Sequence, residues 1–318
     1  MPEWLIERGI GETRAALVDH GEILETRIEL DGIVRAGRVI AARLVAAAGR
    51  NAIARDHSGA EYLLPNGAAG FTEGATINIE IVREAMPGVE PWKRPVARLA
   101  EDIARETPAQ RLNALELSFP SAKDLLGECG WGDVIEQARS GAVRFAGGEL
   151  RISSTPAMTL IDVDGHLDPG ELAVVGAMEA ARAIRRLDIG GSIGIDLPTT
   201  TGKAVRQSAA AAIDRHLPQP FERTAVNGFG FVQIVRPRSR SSLIELASDR
   251  ATFEARCLLR RAAFEPAGAK TLVAHPAVTA MLESHPGWLD ALSRQVGGAV
   301  GLRPDPALPM SGGYAQAA

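Results

Sequence analysis

The sequence predicts a mixed α/β (α+β) chain: a small OB-type β-barrel, an α/β core with strand-end aspartates, and a small C-terminal α/β domain. Three observations predict it. Residues 33–83 hold about five short apolar runs separated by turn residues, a density of strands that suits a small barrel. Residues 150–235 read strand, strand, helix, strand, helix, strand. Beyond residue 250 come a helix, a strand-like run, another helix and a last extended run.

The elements follow in order. Residues 13–30 (TRAALVDHGEILETRIEL) are two alternating apolar runs around Asp19-His20-Gly21-Glu22, the pattern of a β-hairpin. The barrel runs are IVRAGRVIAARLV (33–45), NAIARD (51–56), EYLLP (61–65) and ATINIEIVRE (75–84). A proline-punctuated exit, residues 86–100, carries Trp92, Lys93, Arg94 and Arg98. Between 99 and 148 the stretches LAEDIARET (99–107) and DVIEQARSG (133–141) look helical among loops.

From 149 the texture changes to ELRISS (149–154) and AMTLIDVDG (157–165), then a helix at about 170–187. At 100° per residue Glu171, Glu179, Arg182, Arg185 and Arg186 share one side of that helix. Leu172, Ala177, Ala181, Ile184 and Leu187 share the other, as a helix covering a sheet requires. GGSIGIDLPTT (190–200), a second helix at about 202–216 and the strand FGFVQIVRPR (229–238) follow. The C-terminal part reads as a helix, TLVAHP (271–276), one helix over 278–297 and AVGLRPDP (299–306), with a loose tail from Met310. The organisation is therefore 1–32, 33–98, 99–148, 149–250 and 251–318.

Composition narrows the function classes. The 318 residues carry 35 Lys and Arg against 39 Asp and Glu, a net charge of −4, which argues against a nucleic-acid binder unless charge is segregated. It is segregated: between Arg223 and Arg261 eight arginines face three acids. On charge alone a solvated helix face is the favoured explanation of such a run. Two distant cysteines, with no CxxC, exclude a zinc ribbon and point to a reducing compartment, with the cytoplasm as the expected location. The N-terminus has no signal-peptide pattern and no apolar stretch of about 18 residues exists, so no membrane partner is expected.

Two segments echo one another. Thr159-Leu160-Ile161-Asp162-Val163-Asp164-Gly165 and Ser192-Ile193-Gly194-Ile195-Asp196-Leu197-Pro198 are apolar strands that end on aspartate. Runs this apolar are typical of interior strands, and a carboxylate at the C-terminal edge sits where α/β sheets keep ligands. The spacing of 34 positions from Asp162 to Asp196 accommodates one crossover helix. Paired carboxylates there suit Mg²⁺, a hard cation that keeps waters and phosphate oxygens in its shell; helix caps and turns are the structural alternative. Arg236, Arg238 and Arg240 at the exit of the third strand suit phosphate. Lys203, behind Thr199-Thr200-Thr201-Gly202, fails the Walker pattern but opens a helix that could meet a phosphate. His216, His275 and His285 show no ligand spacing, Ser153-Ser154-Thr155 lacks a nucleophile elbow, and Trp288 reads as core.

Taken in order, I-D-x-[ND], R-x-L-x-x-G-G-x-I-x-I-D, a helix and a Phe/Gly-rich strand ending in R-x-R resemble the catalytic core of the ribonuclease E/G family over 149–246. Residues 12–23 resemble that family's opening hairpin and 33–98 its OB-fold RNA-binding domain; 251–318 resemble its small C-terminal domain more weakly. The resemblance implies an endoribonuclease that cleaves single-stranded RNA with a Mg²⁺-activated water, Mn²⁺ being an alternative ion, to 5′-phosphate and 3′-hydroxyl ends. It implies Asp162 and Asp196 as metal ligands and Asp164, in place of a catalytic asparagine, as a third catalytic residue. Arg236 and Arg238 match the R-x-R exit; Lys93, Arg94, Tyr62 and Lys203 are the further RNA contacts expected. The family's two-cysteine zinc link has no counterpart, since Cys257 lacks its partner; no zinc is expected, and any homo-oligomer would form without it. The 5′-end-sensing Arg-Thr motif has no match, the 99–148 connection is short, and base-stacking phenylalanines of the barrel are absent, with Tyr62, Phe71 and Trp92 the nearby aromatics. The alternative function is a catalytically inactive RNA-binding protein of the same descent.

Overall fold

The computed structural model describes residues 1–47, 50–86, 91–100, 114–200 and 202–318. Three hydrophobic cores organise them: a central one, one in the barrel and one near the C-terminus. The architecture is mixed α+β with a closed five-stranded barrel, as the sequence predicts.

Strands β1 (Glu3–Arg8), β2 (Glu12–Asp19) and β3 (Glu22–Leu30) are antiparallel, and β9 (Leu115–Leu117) joins β1 in parallel to give the order β3-β2-β1-β9. The hairpin turns at His20 and Gly21, both with positive φ, as a two-residue turn of matching twist demands. The sequence pattern does not reveal β1. Its Leu5 and Ile6 are buried beside Glu7, a carboxylate paired with Arg14 and Arg260 inside the protein. A charge neutralised by a partner far along the chain is invisible to a hydrophobic period.

The barrel contains β4 (Val39–Ala46), β5 (Ala52–Arg55), β6 (Glu61–Leu64), β7 (Thr76–Arg83) and β8 (Val96–Leu99), in the order β4-β5-β6-β8-β7. Alternate residues fill it: Ala42, Leu44, Ala54, Tyr62, Leu64, Ile77, Ile79, Ile81 and Ala97. The closing strand is β8, in what the sequence shows as an exit segment. Pro95 precedes it, where its missing N–H leaves no ladder bond unmade. The helical reading of 99–107 falls partly on β8 and, from residue 101, outside the described residues. That of 133–141 is α2 (Trp131–Ser140), which follows α1 (Leu125–Glu128).

The core sheet runs β10-β11-β12-β13-β15-β14, from β10 (Ala142–Phe145), β11 (Gly148–Ser154), β12 (Thr159–Gly165), β13 (Gly191–Asp196), β14 (Glu222–Arg223) and β15 (Phe231–Arg236). Within it only β12 and β13 are parallel neighbours, joined through the crossover helix α3 (Pro169–Arg186). Helices α3 and α4 (Lys203–His216) cover one face, where Ile161, Val163, Ile193, Ile195, Val232 and Ile234 meet Leu172, Ala177, Ile184 and Ile213. A Cβ on Gly176 would lie 2.4 Å from Val163 Cγ1, so this glycine lets the helix settle onto β12. The other face is open. Strands β12 and β13 are interior strands of this sheet, as their apolar runs predict, but β12 is buried on one side alone: Thr159, Ile161 and Val163 are buried, while Leu160, Asp162 and Asp164 are exposed. Antiparallel neighbours on either side of the single parallel pair need no second helical layer.

Beyond α5 (Leu243–Ser248) and α6 (Arg250–Phe264), strands β16 (Lys270–Ala274), β17 (Val300–Pro304) and β18 (Tyr314–Ala317) form a sheet ordered β17-β16-β18 beside α7 (Pro276–Glu283) and α8 (Pro286–Val296). Here the structure corrects three expectations. The single helix of 278–297 is two, because Pro286 holds His285 out of the helical region (φ −125°, ψ 65°). The tail is not loose: β18 pairs with the edge of β16, and Ala315 packs on the local core. Trp288 is half-buried rather than core, stacked on His285 with centroids 4.2 Å apart. No described helix is long and apolar enough to cross a membrane.

Candidate active site

The parallel register of β12 and β13 pairs Asp162 directly with Asp196. Neighbouring strands lie about 4.8 Å apart, so both carboxylates leave adjacent backbone positions on the open face. Asp164 projects from the same face two residues along β12. Asp196 ends its strand; Asp162 does not, since β12 continues to Gly165. Local desolvation, then the charges of Asp164 and Asp196, raise the Asp162 carboxyl above its ordinary range against the opposing pull of Arg151. A bound cation would relieve that repulsion. Among the described residues no three or more acid, histidine or cysteine groups converge into a metal cage. The donor set is two facing carboxylates with open space, which fits an ion that fills its shell with water and phosphate oxygens.

The antiparallel register of β11 places Arg151 opposite Asp162 and Glu149 opposite Asp164. Arg151 Nη1 lies 3.6 Å from Asp164 Oδ2. Sequence reasoning missed Arg151, although the alternation Glu149, Arg151, Ser153 in ELRISS already sets these residues on one polar face. Across the site Phe231 pairs with Asp196. Its ring and Leu160 close over Gly194, where a Cβ would lie 2.6 Å from Phe231 Cζ. Beyond Asp196 the chain enters α4, whose N-terminus has no side-chain cap and whose first residue, Lys203, is exposed. Thr201 lies outside the described residues.

The arginine pair is elsewhere. Arg236 pairs with Gly191 and Phe231 with Asp196, so five residues of strand, roughly 16 Å, separate Arg236 from the carboxylates. Arg236 Nη1 donates to the Ile189 carbonyl (3.1 Å), and burial lowers its pKa while Asp188 and Glu25 offset part of that. Arg238 pairs with Glu245, and Arg240 with Asp188 (2.9 Å) and Glu84 (3.8 Å). Glu84 leaves the barrel and donates its N–H to the Ser239 carbonyl (2.8 Å). This strand exit is thus a joint between barrel and core.

On the barrel, Lys93 and Arg94 are exposed, with Arg94 Nε donating to Glu61 Oε2 (2.8 Å). Tyr62 is not on a stacking surface: its ring is buried in the barrel and its hydroxyl donates to Asp56 Oδ2 (2.8 Å). The period-2 alternation of EYLL was the available signal, since it puts Tyr62 on the same side as Leu64. Trp92 is exposed and lines a cavity of about 240 Å³ with Met158, Gly191 and Arg238, at the arginine end of the sheet. Cys129 and Cys257 are both free thiols, and burial pushes that of Cys257 up to about 12.

No family model matches the chain. Ribonuclease G from Escherichia coli (strain K12) is 31% identical over 110 residues, covering 31% of this chain and 22% of that protein; ribonuclease G from Shigella flexneri matches with the same figures. The aligned part thus spans about a fifth of the length of these relatives. The similarity supports a distant relationship to the ribonuclease E/G family.

Proposed function

We propose that the chain is a metal-dependent endoribonuclease acting on single-stranded RNA in the cytoplasm. The observation that carries the reading is the register pairing of Asp162 with Asp196 on an open sheet face, with Asp164 beside them. The relationship to ribonuclease G supports the substrate class. Asp162 and Asp196 would hold Mg²⁺, with Mn²⁺ able to replace it. When bound, the ion would activate water and neutralise charge on the phosphodiester, giving 5′-phosphate and 3′-hydroxyl ends. Asp164 takes up a proton or orients the attacking water. Arg151, opposite Asp162, offers a guanidinium to a phosphate oxygen. Lys203 and the uncapped start of α4 accept a neighbouring phosphate, and Lys93 and Arg94 carry the strand onto the barrel. Arg236 and Arg238 have no part in this reading, because they hold the barrel joint.

The test is cleavage of an AU-rich single-stranded RNA with Mg²⁺ by wild type and by the Asp162→Asn, Asp196→Asn double variant. Wild-type cleavage that the double variant lacks is the expected result; equal rates would sink the assignment. One observation favours a second reading, an inactive RNA-binding protein. Asp164 adds a negative charge where phosphate must approach. RNA binding without Mg²⁺-dependent turnover would select it.

A further inference from the structure

The turn leading into β15 holds one aromatic ring out in solvent on a rigid frame. Asn227 Oδ1 accepts the N–H groups of Phe229 (2.9 Å) and Phe231 (3.0 Å). Gly230 N–H donates to the Asn227 carbonyl (3.2 Å), closing the turn. A second set of bonds ties the turn to the segment leaving Asp196. The Thr199 hydroxyl donates to the Phe229 carbonyl (3.1 Å), and Leu197 N–H donates to the Gly230 carbonyl (3.3 Å). Gly230 has φ +91°, and a Cβ there would lie 2.1 Å from the Leu197 carbonyl oxygen, so only glycine permits this approach. At the tip Phe229 is 81% exposed.

Such a ring adds nothing to the hydrophobic core, and leaving it in water is unfavourable. Its frame is nevertheless pinned at both ends, to β15 and to the residues that follow Asp196. Two further apolar groups, Leu160, 39% exposed, and Phe231, sit together over Gly194 beside the carboxylates. The site therefore has two sides of different chemistry. One is anionic, with Arg151 across it; the other is apolar and aromatic. A single strand of nucleic acid has the same two sides, a charged backbone and flat bases. A pre-ordered aromatic ring stacks a base with little entropy left to lose.

We propose that Phe229 is the stacking platform for an unpaired base next to the phosphodiester presented to Asp162 and Asp196. The inference rests on the nuclease reading for that phosphodiester. A phenyl ring offers a π-face and no hydrogen bond, so it takes any of the four bases. It selects single strands over duplex, because a paired base must first leave its stack. Phe229 is a substrate-positioning residue: it aligns the strand and moves no proton.

The experiment uses the full chain and a short single-stranded RNA with 2-aminopurine at one position, and the same RNA with an abasic site there. Binding is measured in EDTA for wild type, Phe229→Ala, Phe229→Leu and Phe229→Trp. Wild type and Phe229→Trp quench the 2-aminopurine fluorescence on binding, and Phe229→Ala does not. Phe229→Ala weakens binding about tenfold, the lower part of the range a stacked base contributes, and Phe229→Leu falls between. Abasic RNA binds wild type as weakly as intact RNA binds Phe229→Ala, and combining the two changes gives no further loss. With Mg²⁺ the Phe229→Ala effect falls on KM more than on kcat. Unchanged binding by Phe229→Ala, or losses that simply add, would overturn the proposal. So would a shift in sedimentation with RNA affinity intact, which would assign the ring to contact between copies of this chain. Because stacking is read in EDTA, absence of Mg²⁺-dependent cleavage by wild type sinks the nuclease reading and leaves the stacking result to be judged alone.

Discussion

The two ends of the core sheet differ in how their charges are paired. At one end Asp162, Asp164 and Asp196 face outward from β12 and β13, with Arg151 the nearby cation. At the other end, one strand length away, Arg236, Arg238 and Arg240 are each bonded to a protein group: the Ile189 carbonyl, Glu245 and Asp188. The arginine end has spent its charge within the fold. The carboxylate end is compensated in part, by Arg151 beside Asp164, and the repulsion among its acids outweighs that contact at Asp162. Structure relieves repulsion wherever a partner can be placed. Like charges left together on an open face therefore mark the end kept for a ligand.

The largest expected effect separates these ends by activity. Asp196→Ala lowers Mg²⁺-dependent RNA cleavage by about 10²-fold or more, the scale of losing a preorganised electrostatic group, and does not lower the melting temperature, since it removes a charge that repels Asp162. Arg238→Gln does the reverse: the cleavage rate stays and the melting temperature drops. Rates and melting curves on the same preparations check both halves. An arginine variant that lost cleavage but not stability would break the division.

Second in size is the joint itself. Arg240→Ala leaves Asp188 and Glu84 as neighbouring carboxylates in a mostly enclosed site, where Arg240 and Asp188 are 17% and 20% exposed. Removing one partner of such a cluster costs about 2–4 kcal/mol. Urea denaturation followed by tryptophan fluorescence measures it. A midpoint equal to that of wild type would show that the joint contributes nothing.

The sequence showed more of one end than of the other, for a physical reason. Asp162 and Asp196 are legible because each follows an apolar run, and a crossover helix of the right length lies between them. Their register needs no further information once the strands are parallel neighbours. The arginines look like a phosphate site because their partners, Asp188, Glu245 and Glu84, are scattered along the chain and meet only through the fold. Glu7 hid β1 in the same way, through Arg14 and Arg260. Tyr62 was misplaced although its alternation was visible, because an aromatic in an OB-like barrel invites a stacking role. The tail failed as a strand because its partner β16 lies about forty residues earlier, and nothing local distinguishes a tail that has an edge to join.

The smallest effects set the two ends against each other by the sign of their pH dependence. Asp162 is held above the usual carboxylate range by local desolvation and then by the charges of Asp164 and Asp196. The folded chain thus binds that proton more tightly than the unfolded chain, and stability falls as pH rises past about 3.9 and on through the raised folded value. In chelator at neutral pH, Asp162→Asn melts slightly above wild type, and the gain disappears in acid. Asp214 is the counterpart near the arginine end. Arg223, on β14, donates Nε–H to Asp214 Oδ1 (2.7 Å), and that bond holds the carboxyl below the usual range. Its stabilisation is present above the unfolded pKa and is lost as pH falls through the lowered folded value. Asp214→Asn therefore melts slightly below wild type at neutral pH and converges with it in acid. Both carboxylates are exposed, so both shifts are small, and a series of melts across pH reads their direction. Opposite signs would show that one end stores repulsion while the other has satisfied its charge. A shared sign would mean that the carboxylates at the open face are already compensated within the protein, and the argument for a cation between them would lose its electrostatic basis.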